Sequence, residues 1–159
     1  MLNLVHLYVE SAREKLSEGD ICVDLIDVPE SYLALGIKEG SVLSRKLAIE
    51  TAVRCERSSD QIVEAIISAV HPEMHASSMT PDTTVEIREY AARALAQFSG
   101  REHVQHVLLR VSVGNDVPSV TRAACEALVK MGSPSIVQEA MGMLESGSPT
   151  KNIVGAYLL

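Results

Sequence analysis

Aromatic residues are scarce in this chain of 159 residues, which contains no tryptophan, one phenylalanine and four tyrosines. Apolar residues nevertheless make up 47% of the chain, so its core must be aliphatic and rich in alanine. Small aliphatic side chains suit closely packed helices better than they suit the core of a β-sandwich. The scarcity of aromatic residues therefore favours an all-α fold, and the length suits a single domain.

The motifs of common catalytic sites are also missing. The chain has no glycine-rich phosphate loop, no G-x-S-x-G and no cysteine with a recognisable histidine partner. The three cysteines, Cys22, Cys55 and Cys125, form no C-x-x-C and are typical of free thiols in a reducing compartment. We therefore expect a cytoplasmic protein that is not an enzyme, with no catalytic residues and no cofactor.

Long apolar runs and clusters of positive charge are absent as well. No stretch approaches the ~18 consecutive apolar residues that cross a bilayer, and the N-terminus lacks the basic region of a signal peptide. The net charge is −7, and residues 1–40 hold eight acidic residues against three basic ones. Because nucleic acid binding depends on clustered lysine and arginine, we expect neither a nucleic acid partner nor a membrane partner.

The chain does contain an internal repeat with a period of thirty-three residues. Shifted by that distance, Ile87 coincides with Val120 and Leu95 with Leu128, and seven further apolar positions up to Leu144 also coincide. Each copy shows two apolar stripes with helical spacing, separated by a break near Gly100 in the first copy. A single helical hairpin cannot bury both of its apolar faces, so the copies are expected to stack.

The two copies contain the runs IREYAARALAQFSG and VTRAACEALVKMG. These runs resemble the HEAT repeat, in the short form found in phycobilisome-lyase-type proteins. Arg45 and Arg88 stand at the usual arginine position of that repeat, whereas Thr121 occupies it in the next copy and Arg122 follows. The resemblance implies a right-handed α-α superhelix, a HEAT-like (armadillo-like helical) solenoid of about four hairpins.

The repeat divides the single domain, residues 1–159, into segments. A divergent acidic repeat is expected over 1–40, repeats over 41–71, 85–113 and 118–146, and a C-terminal half-repeat over 149–159. The half-repeat is either a cap or the start of a longer array. Residues 2–17 have the spacing of a first helix, and Ile21, Val23 and Leu25 alternate like a strand, although a short helix is preferred because a lone strand has no partner. A short helical turn that ends at Gly36 is expected next.

Two histidines in the segment HPEMH, His71 and His75, together with Glu73 could suggest a metal site. Three potential ligands in a proline-containing loop are weak evidence for metal binding, so an ordinary solvated loop is the preferred interpretation. Iron-dependent deoxyhypusine hydroxylases resemble the same repeat class and bind metal through His-Glu dipeptides. This chain has no His-Glu dipeptide. We therefore expect no metal site.

A helical wheel places a candidate binding surface on the second helix of each copy. The apolar stripe of Val104, Val107, Leu108 and Val111 faces inward, so other side chains face away. The outward-facing side chains, the residues that flank them and their equivalents in the next copy form the candidate partner-binding set: Gln105, His106, Leu109, Arg110, Glu139 and Gly142. Small Ala65 and Gly142 beside Leu109 would leave a shallow apolar groove with polar edges. Alternatively, Leu109 packs between adjacent helices.

Two functions agree with these sequence features. The first is a non-enzymatic interaction or scaffold module that binds a protein segment on its concave helical surface. The second, implied only by the resemblance, is an accessory bilin-lyase-like or chromophore-chaperone protein. The apolar C-terminal segment from Ile153 to Leu159 also predicts a homodimer that covers this end.

Overall fold

A computed structural model describes residues 28–70, 81–114 and 117–159, and for residues 81–84 it describes the backbone only. Within these ranges the chain forms eight α-helices and no strand, which confirms the all-α prediction. The helices are α1 (Glu30–Glu39), α2 (Val42–Arg54), α3 (Asp60–Val70), α4 (Pro81–Leu95), α5 (Glu102–Val113), α6 (Pro118–Met131), α7 (Pro134–Glu145) and α8 (Pro149–Leu158). The helices or strand predicted within residues 2–27 and the HPEMH segment lie outside the described residues.

The chain forms two compact units, Met1–Ile87 and Arg88–Leu159, and the boundary between them falls within α4. In the first unit α1 packs against α2 and α3. The predicted end of a helical turn at Gly36 is wrong, because α1 continues to Glu39 and Gly36 is buried within it. The prediction that Ala65 faces outward is also wrong, since α3 buries apolar side chains on most of its circumference and Ala65 is fully buried.

Arg45 is a buried cation in the first unit. Its guanidinium Nε donates a hydrogen bond of 2.7 Å to the backbone oxygen of Ile37, and its side chain is 1% exposed. Burial lowers the pKa of Arg45 below its ordinary value. Arg88, at the equivalent position of the next copy, is buried as well. The arginine position of the repeat is therefore a core position in both copies, whereas Arg122 is exposed.

The second unit contains α5 to α8, in which α5 packs against α6, and α8 packs against α7, α6 and α5. Proline occupies the first turn of α6, α7 and α8, where its missing N–H costs no helical hydrogen bond. Gly132 ends α6 in the left-handed conformation, with φ at 61°. These start and stop residues set the lengths of the helices that form the candidate site.

The repeat predicts most of the core of this unit. Ala91, Leu95, Ala124, Ala127 and Leu128 are buried as expected. Ala94, also expected in the core, is only half-buried. Two side chains that are thirty-three residues apart also touch, since Arg93 Nε donates to Glu126 Oε2 at 3.1 Å. The first helices of two successive copies, α4 and α6, therefore approach each other through equivalent positions.

The apolar stripe of α7 departs from the prediction. Val137, Met141 and Leu144 are exposed by 39 to 54%, although the equivalent Val104, Leu108 and Val111 in α5 are buried. The buried positions of α7 are Ile136 and Ala140. The packing of α8 against α7 thus leaves these three side chains exposed.

Candidate protein-binding groove

A surface groove of about 410 Å³ runs between α5 and α7 in the second unit. The helix α5 contributes one wall, α7 contributes the other, and one residue of α8 lies at the edge. We call this site the α5–α7 groove, and its lining consists of His106, Leu109, Arg110, Val113, Glu139, Gly142, Met143, Ser146 and Lys151. Five of the six residues predicted to bind a partner therefore lie together.

The two walls of the groove are equivalent faces of two successive repeats. The α5 positions 106, 109, 110 and 113 correspond, at a distance of thirty-three residues, to positions 139, 142 and 143 of α7 and to its C-cap, Ser146. All four pairs line the groove. The spacing of three, four and seven residues keeps each set on one face of its helix over about two turns, roughly 10 Å. The repeat itself thus produces the groove.

The two walls of the groove differ in side-chain size. Gly142 is the repeat equivalent of Leu109, and a Cβ atom added to Gly142 would have no heavy atom within 4 Å. Ser146 is likewise the repeat equivalent of the larger Val113. Glycine in the middle of an exposed helix costs roughly 0.5–1 kcal/mol relative to alanine. The helix α7 therefore carries a cost in stability at the position that leaves space in the groove.

The apolar side chains of the groove are half-buried. Leu109 and Val113 on α5 and Met143 on α7 are each of intermediate exposure, while Gly142 is exposed. Leu109 thus combines the two alternatives considered from the sequence, since it is partly covered and also lines the groove. A ligand side chain that enters here would complete the burial of three apolar groups.

Charged side chains surround this apolar strip. Arg110, Glu139 and Lys151 are exposed at the groove, and His106 lies 3.9 Å from Glu102, one turn earlier on α5. Across residues 28–70, 81–114 and 117–159, neither Arg110 nor Lys151 is within ion-pair distance of a carboxylate. Both cations are thus available to a ligand.

Gln105 is the predicted site residue that does not line the groove. Its amide Nε2 donates to the backbone oxygen of Ser99 at 3.3 Å, and its Oε1 accepts from the hydroxyl of Ser135 at 3.0 Å. Because Ser135 lies in the first turn of α7, this hydrogen bond joins the starts of the two helices that form the groove. Gln105 therefore positions the walls instead of facing the ligand space.

Four groove residues are absent from the set predicted from the sequence, namely Val113, Met143, Ser146 and Lys151. Met143 could have been found, because it is the equivalent of Arg110 in the next copy and hence lies on the same face. Lys151 had no such signal, since it belongs to α8 and reaches the groove only through the packing of α8 against α7.

Two free cysteines, Cys55 and Cys125, lie among the described residues. Cys125 is buried, and burial together with the nearby Glu126 carboxylate raises its pKa to about 11, so its thiol stays protonated near neutral pH. Because Cys55 matches the apolar positions of Phe98 and Met131 in the repeat, the period predicts a buried side chain, but Cys55 is half-buried. In the part of the chain that the structure describes, no three His, Cys, Asp or Glu side chains form a metal-binding group, and no helix is long and apolar enough to cross a membrane.

Comparison with known proteins adds no further assignment to the groove or to the fold. No protein-family model, no curated protein and no solved structure matches this chain.

Proposed function

We propose that this chain is a non-enzymatic interaction module of the HEAT-like solenoid type that holds a segment of another protein in the α5–α7 groove. The observation that carries the proposal is the pairing of positions 106, 109, 110 and 113 with 139, 142, 143 and 146 along one groove. A repeat array offers an extended surface that binds a partner without any chemistry.

The contact between Arg93 and Glu126 supports the solenoid part of this proposal. In a solenoid each copy touches its neighbour through the same positions, so contacting residues recur at the repeat distance. The Arg93–Glu126 hydrogen bond joins first helices at a separation of thirty-three residues, and the groove brings second helices together at the same separation. The two observations come from different helices and agree in register.

The size of the groove limits the ligand to a few side chains. Its volume of about 410 Å³ is small compared with a whole protein interface but suits a short segment with one or two apolar anchors. Short segments of this kind bind to apolar strips as amphipathic helices or as extended strands. We therefore expect a transient interaction instead of a permanent complex.

Selection of peptides by display tests the proposal. A library of random peptides of about 12 residues, panned against the whole protein, should yield binders that fail on the variant Leu109→Ser, because this change removes an apolar wall. The matched control is Val129→Ser, which alters a side chain on α6 that is 50% exposed and lies outside the groove lining. Loss of binding in both variants, or in neither, would contradict the proposal.

A bilin ligand is the competing function, and it has a distinct readout. An absorption shift when the protein is mixed with biliverdin would indicate a chromophore-binding role instead of a peptide-binding one. We expect no shift, since the apolar strip of the groove is about two helical turns long and carries no cysteine.

We also propose that a second copy of the chain covers the exposed apolar side chains of α7 and α8. Ile153, Tyr157 and Leu159 are exposed by 50 to 72%, while Val154 and Leu158, expected to be presented with them, are buried. Exposed apolar side chains that lie close together are typical of surfaces that another chain covers. Light scattering at increasing concentration should show a dimer that Ile153→Lys disrupts, and a monomer at every concentration would refute this contact.

A further inference from the structure

We infer that the ligand of the α5–α7 groove is an acidic protein segment with an aliphatic side chain, an inference that rests on the proposed function and adds the chemistry of the partner. The local charge of the groove is opposite to that of the chain. The groove is lined by two permanent cations, Arg110 and Lys151, and one carboxylate, Glu139. The whole chain has 14 basic residues against 21 acidic ones.

The two groove cations are unlike most arginines of the described structure. Arg54, Arg57, Arg93 and Arg122 each lie within 4.0 Å of a glutamate carboxylate. Arg110 and Lys151 have no such carboxylate among the described residues. An approaching carboxylate would thus pair with them without breaking an existing ion pair, which removes one cost of binding.

The position of Lys151 argues against a role in helix stability. It lies in the first turn of α8, where the helix dipole carries partial positive charge and acidic side chains are favoured. The first turn of α8 contains no acidic residue. Lys151 therefore slightly opposes the helix that carries it, and its exposed side chain at the groove edge attracts anions.

The arrangement of apolar and charged side chains along the groove indicates where the aliphatic and acidic residues of a ligand would lie. The open space at Gly142, in a groove that Leu109 also lines, can hold an aliphatic side chain. Lys151 lies in the chain shortly after the C-terminal end of α7, in the first turn of α8. Glu139 lies in the first half of α7, about two turns before Ser146. A ligand whose acidic residues lie toward Arg110 and Lys151 and away from Glu139 matches both the apolar and the charged parts.

Fluorescence anisotropy with synthetic peptides tests this inference on the full chain. Three labelled peptides of about 12 residues share the same spaced leucines and differ only in flanking residues, which are aspartate, serine or lysine. We expect the aspartate peptide to bind roughly tenfold more tightly than the serine peptide, and increasing salt to reduce this difference. General attraction cannot produce that order, because the net charge of the protein is −7.

Charge variants then assign the preference to the groove. Lys151→Glu combined with Arg110→Gln should abolish the preference for aspartate and favour the lysine peptide. Lys151→Glu places an acid in the first turn of α8, so it should not lower the melting temperature. The control Lys130→Glu changes an exposed lysine at the end of α6, outside the groove, and should leave the preference unchanged.

The outcomes separate this inference from the proposed function. If the serine or lysine peptide binds as tightly as the aspartate peptide, the inferred ligand chemistry is wrong and the groove remains a peptide site. If no peptide binds, the proposed function fails as well. Equal loss of preference with Lys130→Glu would also overturn the inference, as would tighter binding of a short single-stranded oligonucleotide than of the aspartate peptide.

Discussion

Replacement of Gly142 by a larger residue is the most discriminating test, because it should raise the stability of the fold and weaken peptide binding at the same time. A Cβ atom at this position would have no heavy atom within 4 Å, so a side chain added here begins in open space. Replacing a glycine within a helix by leucine contributes about 0.8 kcal/mol through backbone entropy alone. For a domain of this size, that gain corresponds to roughly 2 to 3 °C in the melting temperature.

The same leucine occupies the space that the ligand needs. Because Gly142 and Leu109 both line the groove, the added side chain would take up part of its volume. Loss of a central apolar anchor typically weakens binding by 2 kcal/mol or more, which is roughly thirtyfold in the dissociation constant. Gly142→Ala is the matched control, since it gains about the same helix stability but adds only a methyl group.

Thermal unfolding by circular dichroism and peptide binding by anisotropy measure the two effects. We expect both variants to melt at higher temperature than the original chain and only Gly142→Leu to lose affinity. A lower melting temperature for both variants would refute the description of Gly142 as facing open space. Unchanged affinity of Gly142→Leu would refute the assignment of the groove as the binding site.

Three further predictions follow from individual contacts. Gly155→Ala should destabilise the protein by about 1–3 kcal/mol in urea unfolding, because its Cβ would lie 2.7 Å from the backbone oxygen of Ala140; a gain in stability would contradict this close approach. A double-mutant cycle on Arg93 and Glu126 should give a coupling of about 0.5 kcal/mol that salt reduces, and zero coupling at low salt would contradict a contact between equivalent positions. Cys125 has a pKa raised to about 11 in the folded state, so its contribution to stability is complete below its ordinary pKa near 9. The free energy of unfolding should therefore fall by about 2 kcal/mol as pH rises from 9 to about 11. Cys125→Ala should remove this part of the pH dependence, and an unchanged dependence of the unfolding free energy on pH would refute it.

The sequence was sufficient to predict the helical fold because the repeat keeps apolar residues in register. Positions such as Leu95 and Leu128 are buried in both copies, and the groove follows from the same period. Residues one period apart occupy equivalent places in successive copies, so Glu139 and Gly142 could be predicted to line the same surface as His106 and Leu109.

Burial does not follow the period at every position of α7 and α8. Met141 matches Leu108 in sequence but is 54% exposed, because burial depends on the surrounding helices and not on the residue alone. Ile153 shows the same effect, since its equivalent Val120 is fully buried. Lys151 reaches the groove through the packing of α8, which periodicity within one helix does not predict.

Methyl NMR spectroscopy tests the central claim, that the α5–α7 groove binds a protein segment, most directly. The full chain, labelled at leucine, isoleucine, valine and methionine methyl groups, would be titrated with the aspartate-flanked peptide. We expect the resonances of Leu109, Val113 and Met143 to shift and to saturate together, while those of Ile62 and Ile66 in the core around α3 stay unchanged. Saturable binding of the peptide with no shift at the three groove methyl groups would contradict the account.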